Sequence, residues 1–175
     1  MKNFLCLMAV IALSGCQSVS SPKSAVDAYL EALKKGEPQQ QKEFSCDQEN
    51  GVKSNEPLTN LEKWEITGQE TATQQSDSDG KYELVSAKIE TKALGGFSVA
   101  RTWEISVWKS DDFFESRKRT IDKVNRITAD SEKLVNRANA LTGEKPVEHR
   151  EPEMPNRSDY SSKPYCISRF ASSEK

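Results

Sequence analysis

The stretch Phe97-Ser98-Val99-Ala100-Arg101-Thr102-Trp103-Glu104-Ile105-Ser106-Val107-Trp108-Lys109 decides the fold class. Phe97, Val99, Trp103, Ile105 and Val107 sit at alternating positions. In a strand, successive side chains point to opposite faces, so these five share one face. One apolar face and one polar face point to an antiparallel sheet covered on one side. Upstream, residues 81–91 repeat the pattern, with Val85, Ala87, Ile89 and Thr91 on one face and Tyr82 and Leu84 on the other. Residues 61–67, with Trp64 and Ile66, supply a third segment. Asp79-Gly80 is a hairpin signal and Gly95-Gly96 a second tight-turn candidate. Three antiparallel strands are the economical arrangement.

Helical spacing flanks the strands. Ser21-Pro22 reads as an N-cap followed by the first helical residue, and Val26, Tyr29, Leu30 and Leu33 then form an apolar stripe. Gly36 fits the position just past the helix end, and Pro38 opens a second short helix through Phe44 and Cys46. Residues 47–60 read as a loop. After the strands, Asp112 is expected to cap a long helix, with Glu115 completing a capping-box-like pair. Phe113, Ile121, Val124, Ile127, Leu134, Val135, Ala138 and Leu141 form its broad stripe, and Gly143 its end. At about 45 Å it outreaches a three-strand sheet and must break, bend or project. Thr128 and Ser131 interrupt the heptad, so a coiled coil is not expected. Residues 144–163, with Pro146, Pro152 and Pro155, should be extended and mobile. The cluster Tyr165, Cys166, Ile167 and Phe170 should dock as an extra edge strand.

The N-terminus resembles that of bacterial lipoproteins. A positive residue, Lys2, precedes an apolar run over residues 4–13, too short to span a bilayer. Leu13-Ser14-Gly15-Cys16 then resembles a lipobox. The resemblance implies removal of residues 1–15, a diacylglyceryl group on Cys16 and an acylated new amino end. Gln17, rather than Asp, after the cysteine implies outer-membrane anchoring facing the periplasm, with the outer face of the cytoplasmic membrane as the alternative. An ordinary secretory signal is the competing interpretation.

Export bears on the four cysteines. Cys6 would leave with the signal and Cys16 would be lipidated. Cys46 and Cys166 would remain as an even pair in an oxidising compartment, expected to be bonded, the alternative being two separate buried thiols. The chain has 175 residues, room for one domain, and 25 Lys+Arg against 27 Asp+Glu, a formal net charge of -2. That balance argues against nucleic acid, which requires a basic face.

Ser21 to Gly36, read in full as Ser-Pro-Lys-Ser-Ala-Val-Asp-Ala-Tyr-Leu-Glu-Ala-Leu-Lys-Lys-Gly, looks like the opening helix of NTF2-like or cystatin-like domains. The order helix, helix, strands is similar to that family through about residue 109. The resemblance implies N-terminal helices packed on a curved antiparallel sheet, often enclosing a pocket. The long helix from Asp112 and the Cys166 tail depart from the pattern.

Arg101 is the odd residue on the apolar strand face. It must be paired, reach water or meet an anionic ligand. In a cone-shaped pocket Arg101 and Trp103 together would grip a carboxylate or phosphate; otherwise Arg101 lies at the sheet margin or pairs with Glu83, Glu90 or Glu104. Arg117-Lys118-Arg119, with Lys123 and Arg126, forms a basic patch suited to anionic headgroups or an acidic partner, or to a solvated salt-bridged face. His149, the sole histidine, lies in the Pro-rich segment, and no nucleophile or orienting group marks it as catalytic. No metal ligand set or cofactor motif stands out.

The resulting expectation is an α+β protein with a signal at 1–15, a lipidated tether at 16–21, a domain at 22–143 ending in the long helix, and a Pro-rich segment and docked tail at 144–175. The function expected is a non-catalytic envelope interaction module, anchored by its lipid and contacting an envelope protein. The alternative is a binder of a small anionic ligand.

Overall fold

A computed structural model describes residues 19–74, 80–93, 95–148 and 153–173. Cys16, Gln17, Asp79 and His149 lie outside the described residues. Helix α1 (Pro22–Lys35) begins where the sequence places it. The Ser24 amide donates to Ser21 Oγ at 3.2 Å and the Ser21 amide to Ser24 Oγ at 3.0 Å, so Ser24 closes a reciprocal cap. Gly36 ends the helix at φ 69°, a left-handed conformation costly for other residues. The seven-residue α2 (Pro38–Phe44) follows.

Strands β1 (Lys53–Ser54), β2 (Leu61–Gln74), β3 (Gly80–Lys92), β4 (Ser98–Lys109) and β5 (Tyr165–Ser172) form one sheet in the order β1-β5-β4-β3-β2. The sheet is mixed and open. Strands β2 to β5 pair antiparallel in that order, whereas β1 joins β5 in parallel. The C-terminal strand is therefore not the edge: Lys53–Ser54 covers its outer side. A two-residue polar strand carries no periodicity that would reveal it. β2 also runs past residue 67, through a register shift at Ile66/Gly68.

The core lies between α1 and one sheet face. Ala25, Val26 and Leu30 pack against Val85, Ala87, Ile89, Trp103, Ile105 and Val107. Tyr29 packs on Phe170 with ring centroids 5.4 Å apart and planes tilted by 32°. A β-bulge at Ser106/Val107 lets Ile167 and Phe170, three residues apart, both face this core. Burial of Tyr29 raises its phenol pKa above the ordinary value of 10.0. Trp64, half-buried at the sheet margin, donates its indole N–H to Asp27 at 2.9 Å.

The other face carries a smaller cluster around the Cys46–Cys166 disulfide, with Trp108, Tyr82 and Phe113. This bridge joins residues 120 apart in sequence and ties the end of α2 to the start of β5.

Helix α3 (Ser110–Thr142) follows β4 without a loop and has 33 residues, about 50 Å of length. Its N-cap is Lys109, which makes no side-chain capping bond, so Asp112 is not the cap; Asp111 and Asp112 lie in the first turn and favour the helix dipole there. Beyond Ser116 none of its residues is buried. Of the alternatives for its length, the helix projects.

Residues 144–148 fold back along it. Asn136 exchanges two hydrogen bonds with the Val147 backbone, and Asn139 Nδ2 donates to the Lys145 carbonyl at 2.9 Å. Further on, Tyr160 packs on Phe113 and Phe114, and Ser161 Oγ donates to the Glu43 carbonyl. The described parts of the Pro-rich segment are thus tied down, contrary to the extended, mobile segment expected. Surface asparagine–backbone bonds and the packing of Tyr160 do this, and composition alone does not reveal them.

Candidate functional site

Arg101 lies opposite Ile89 on β3. Its guanidinium pairs with Glu56, a residue of the loop before β2 that the sequence reading did not name. Glu90 holds Lys63 at 2.9 Å, raising that lysine's pKa mainly through the hydrogen bond. Glu83 accepts from Gln69 and Thr71. Trp103, only 3% exposed, packs edge-on to Phe170. Both Arg101 and Trp103 line a cavity of about 240 Å³ at the end of the core face, together with Glu56 and Asn60. The structure brings the two residues together, but the indole belongs to the core and a carboxylate already meets the guanidinium.

The second candidate is α3. Val124, Ile127, Leu134, Val135 and Leu141 are exposed, Leu134 at 65% and Leu141 at 90%. Thr128 is half-buried on the neighbouring side, and Ser131 Oγ donates to the Ile127 carbonyl. The exposed line then runs Val124, Ile127, Ser131, Leu134, Ala138 and Leu141, spaced three and four apart. That is the seam spacing of paired helices, small residues included.

What surrounds this line differs by side. Asn136 and Asn139, which hold residues 145–147, are on the side turned away from the line. Along one flank, 3.6-residue periodicity aligns Arg119, Lys123, Arg126, Lys133 and Arg137, with two carboxylates among them: Asp130, which Lys133 meets at 3.1 Å, and Asp122, about one turn from Arg119 and Arg126. The charges near the helix start are more balanced, as the Lys118–Glu115 and Arg157–Asp111 pairs show.

No helix among the described residues is long and apolar enough to cross a membrane. Among the described residues no group of three or more His, Cys, Asp or Glu could hold a metal ion. Sequence reasoning missed Glu56, which sits in a loop with no pattern; of the cationic row it named Arg119, Lys123 and Arg126 but not the continuation through Lys133 and Arg137, whose signal was present in the helical spacing. No family model, no curated protein and no solved structure matches the chain.

Proposed function

We propose that this chain is a lipid-anchored envelope protein whose projecting helix α3 docks a partner protein. The observation that carries this is the exposed apolar line from Val124 to Leu141, edged by cations on one side. Five large apolar side chains in one patch on a charged chain are characteristic of an interaction surface. The occupant that fits is an amphipathic helix of an envelope protein whose apolar face is edged by carboxylates. A second copy fits less well, because antiparallel pairing about Ser131 would bring the two cationic rows together.

The anchor rests on the lipobox-like Leu13-Ser14-Gly15-Cys16, with the outer membrane as the favoured site. The NTF2-like or cystatin-like architecture draws support from α1 and α2 preceding the sheet, whose strands β2 to β5 pair antiparallel, with α1 on its apolar face. In this proposal the lipid holds the domain at the membrane, and α3 extends from the sheet toward its partner. The small-ligand alternative has in its favour that Arg101 and Trp103 line one cavity, but a ligand there must displace Glu56.

Two experiments test the proposal. A Cys16→Ala chain should lose membrane fractionation, and its retention would refute the anchor. Paired Leu134→Glu and Leu141→Glu substitutions, both on the exposed face, should preserve helicity and abolish co-purification of the partner. Unchanged co-purification would refute the role of α3.

A further inference from the structure

We propose that the second face of the sheet carries a binding site for a small amphipathic anion, a planar aryl carboxylate. This site is separate from both α3's exposed line and the Arg101 cavity, and the inference does not depend on either. A cavity of about 380 Å³ opens beside the disulfide, between the sheet and the first turns of α3. That volume is within the range of small-molecule sites.

Aromatic side chains form one wall. Tyr82 stacks on Trp108 with centroids 5.3 Å apart and planes at 20°, and Phe113 meets Trp108 edge-on at 5.6 Å. The wall is rigidly held. The Trp108 indole N–H donates to Ser168 Oγ at 3.1 Å, and that hydroxyl donates onward to the Ser106 carbonyl at 3.4 Å. The indole, buried at 4% exposure, therefore has its partner and backs the wall, while half-buried Tyr82 and Phe113 supply the ring surface that reaches the cavity. A methyl group built on Gly80 would overlap the Trp108 ring, so only glycine leaves the indole its place.

Charge selects the ligand. Lys53, Arg117 and Arg169 line the cavity, against Asp47 alone. Three cations less one carboxylate leave +2 here, in a chain whose formal net charge is -2. Asp47 is further engaged by the amides of Glu49 and Asn50 and by Asn50 Nδ2. Aromatic surface with guanidinium groups beside it is complementary to a flat ring carrying an anionic group: the ring stacks, and the carboxylate takes two-pronged hydrogen bonds from arginine.

The test uses the whole nitrogen- and carbon-labelled chain, titrated with naphthoate and with uncharged naphthamide. Binding is followed by the indole N–H resonances of Trp64, Trp103 and Trp108 and the methyl resonances of Leu134 and Leu141. Naphthoate should saturably shift the Trp108 indole and leave the other four probes in place. Naphthamide should bind about tenfold more weakly, and Arg117→Ala or Arg169→Ala should each weaken naphthoate about fivefold, the scale of a partly exposed charge-assisted bond. Both arginines are exposed, so unchanged Trp64 and Trp103 resonances certify the fold of each variant. No saturable shift by millimolar naphthoate, equal binding of the amide, full affinity in both arginine variants, or shifts at the α3 leucines instead would each overturn the proposal.

Discussion

Reducing the Cys46–Cys166 disulfide should remove a large share of the chain's stability. The bridge closes a loop of 120 residues. The chain-entropy relation assigns such a loop about 4.9 kcal/mol at 25 °C, an upper figure because a denatured chain retains structure. A loss of about 3–5 kcal/mol is therefore expected, against a typical total of about 5–15 kcal/mol. Reduction is the cleaner perturbation. Both cysteines are buried, so replacing them with serine or alanine would add desolvation or cavity costs to the loss of the crosslink. The assay is urea unfolding with and without reductant, followed by tryptophan fluorescence and circular dichroism. With a slope near 2 kcal/mol/M, the midpoint should fall by about 1.5–2.5 M. Strand β5 should stay paired in the reduced native state, because Ile167 and Phe170 are buried in the main core, away from the sulfurs. A midpoint shift under about 0.5 M would refute the view that closing this long loop supplies a large share of the stability.

Other outcomes follow from single side chains. Gly80→Ala should destabilise the fold by about 1–3 kcal/mol through overpacking on Trp108, read by thermal unfolding. Leu30→Ala, at a fully buried position, should cost about 2–5 kcal/mol in the same assay. Arg101→Ala should cost under about 1 kcal/mol, because both members of the Arg101–Glu56 pair are part-exposed; a larger loss would mean that Arg101 carries core structure. Burial raises the Tyr29 pKa, so above pH ~10 the unfolded chain gives up its proton before the folded chain does, and stability falls as pH rises further. Tyr29→Phe should lessen that alkaline fall in urea midpoints taken between neutral and alkaline pH, and an unchanged slope would contradict it.

The parts legible in the sequence are those where local chemistry and packing agree. Ser21-Pro22 and Gly36 punctuate α1, and the alternation from Val99 to Val107 marks β4, because each pattern answers to one buried face. Other features depend on distant partners. The bridge Cys46–Cys166 was reachable by counting cysteines, but the position of β5 within the sheet was not. Lys53–Ser54, which makes β5 an inner strand, is polar and two residues long. The far half of β2 lacks apolar alternation because it extends past the core, and its pairing with β3 is what defines it. Helical spacing showed that α3 has an apolar stripe but not what would cover it. The asparagines that hold residues 145–147 look like ordinary surface residues until the chain returns to them. Tyr82 stood out as facing away from the core, yet its stacking on Trp108 emerges only from strand pairing.

The most direct measurement is photo-crosslinking in intact cells, with a photoreactive residue at Leu134 or Ile127 and a control at Lys88 on β3. The account predicts one discrete adduct from both α3 positions and none from Lys88. The crosslinked peptide should be an apolar helix edged by Asp or Glu, and the adduct should vanish when Arg126 and Lys133 are both reversed to Glu. An adduct of twice the chain's own mass, an adduct with lipid alone, equal labelling from Lys88, or no adduct would contradict it.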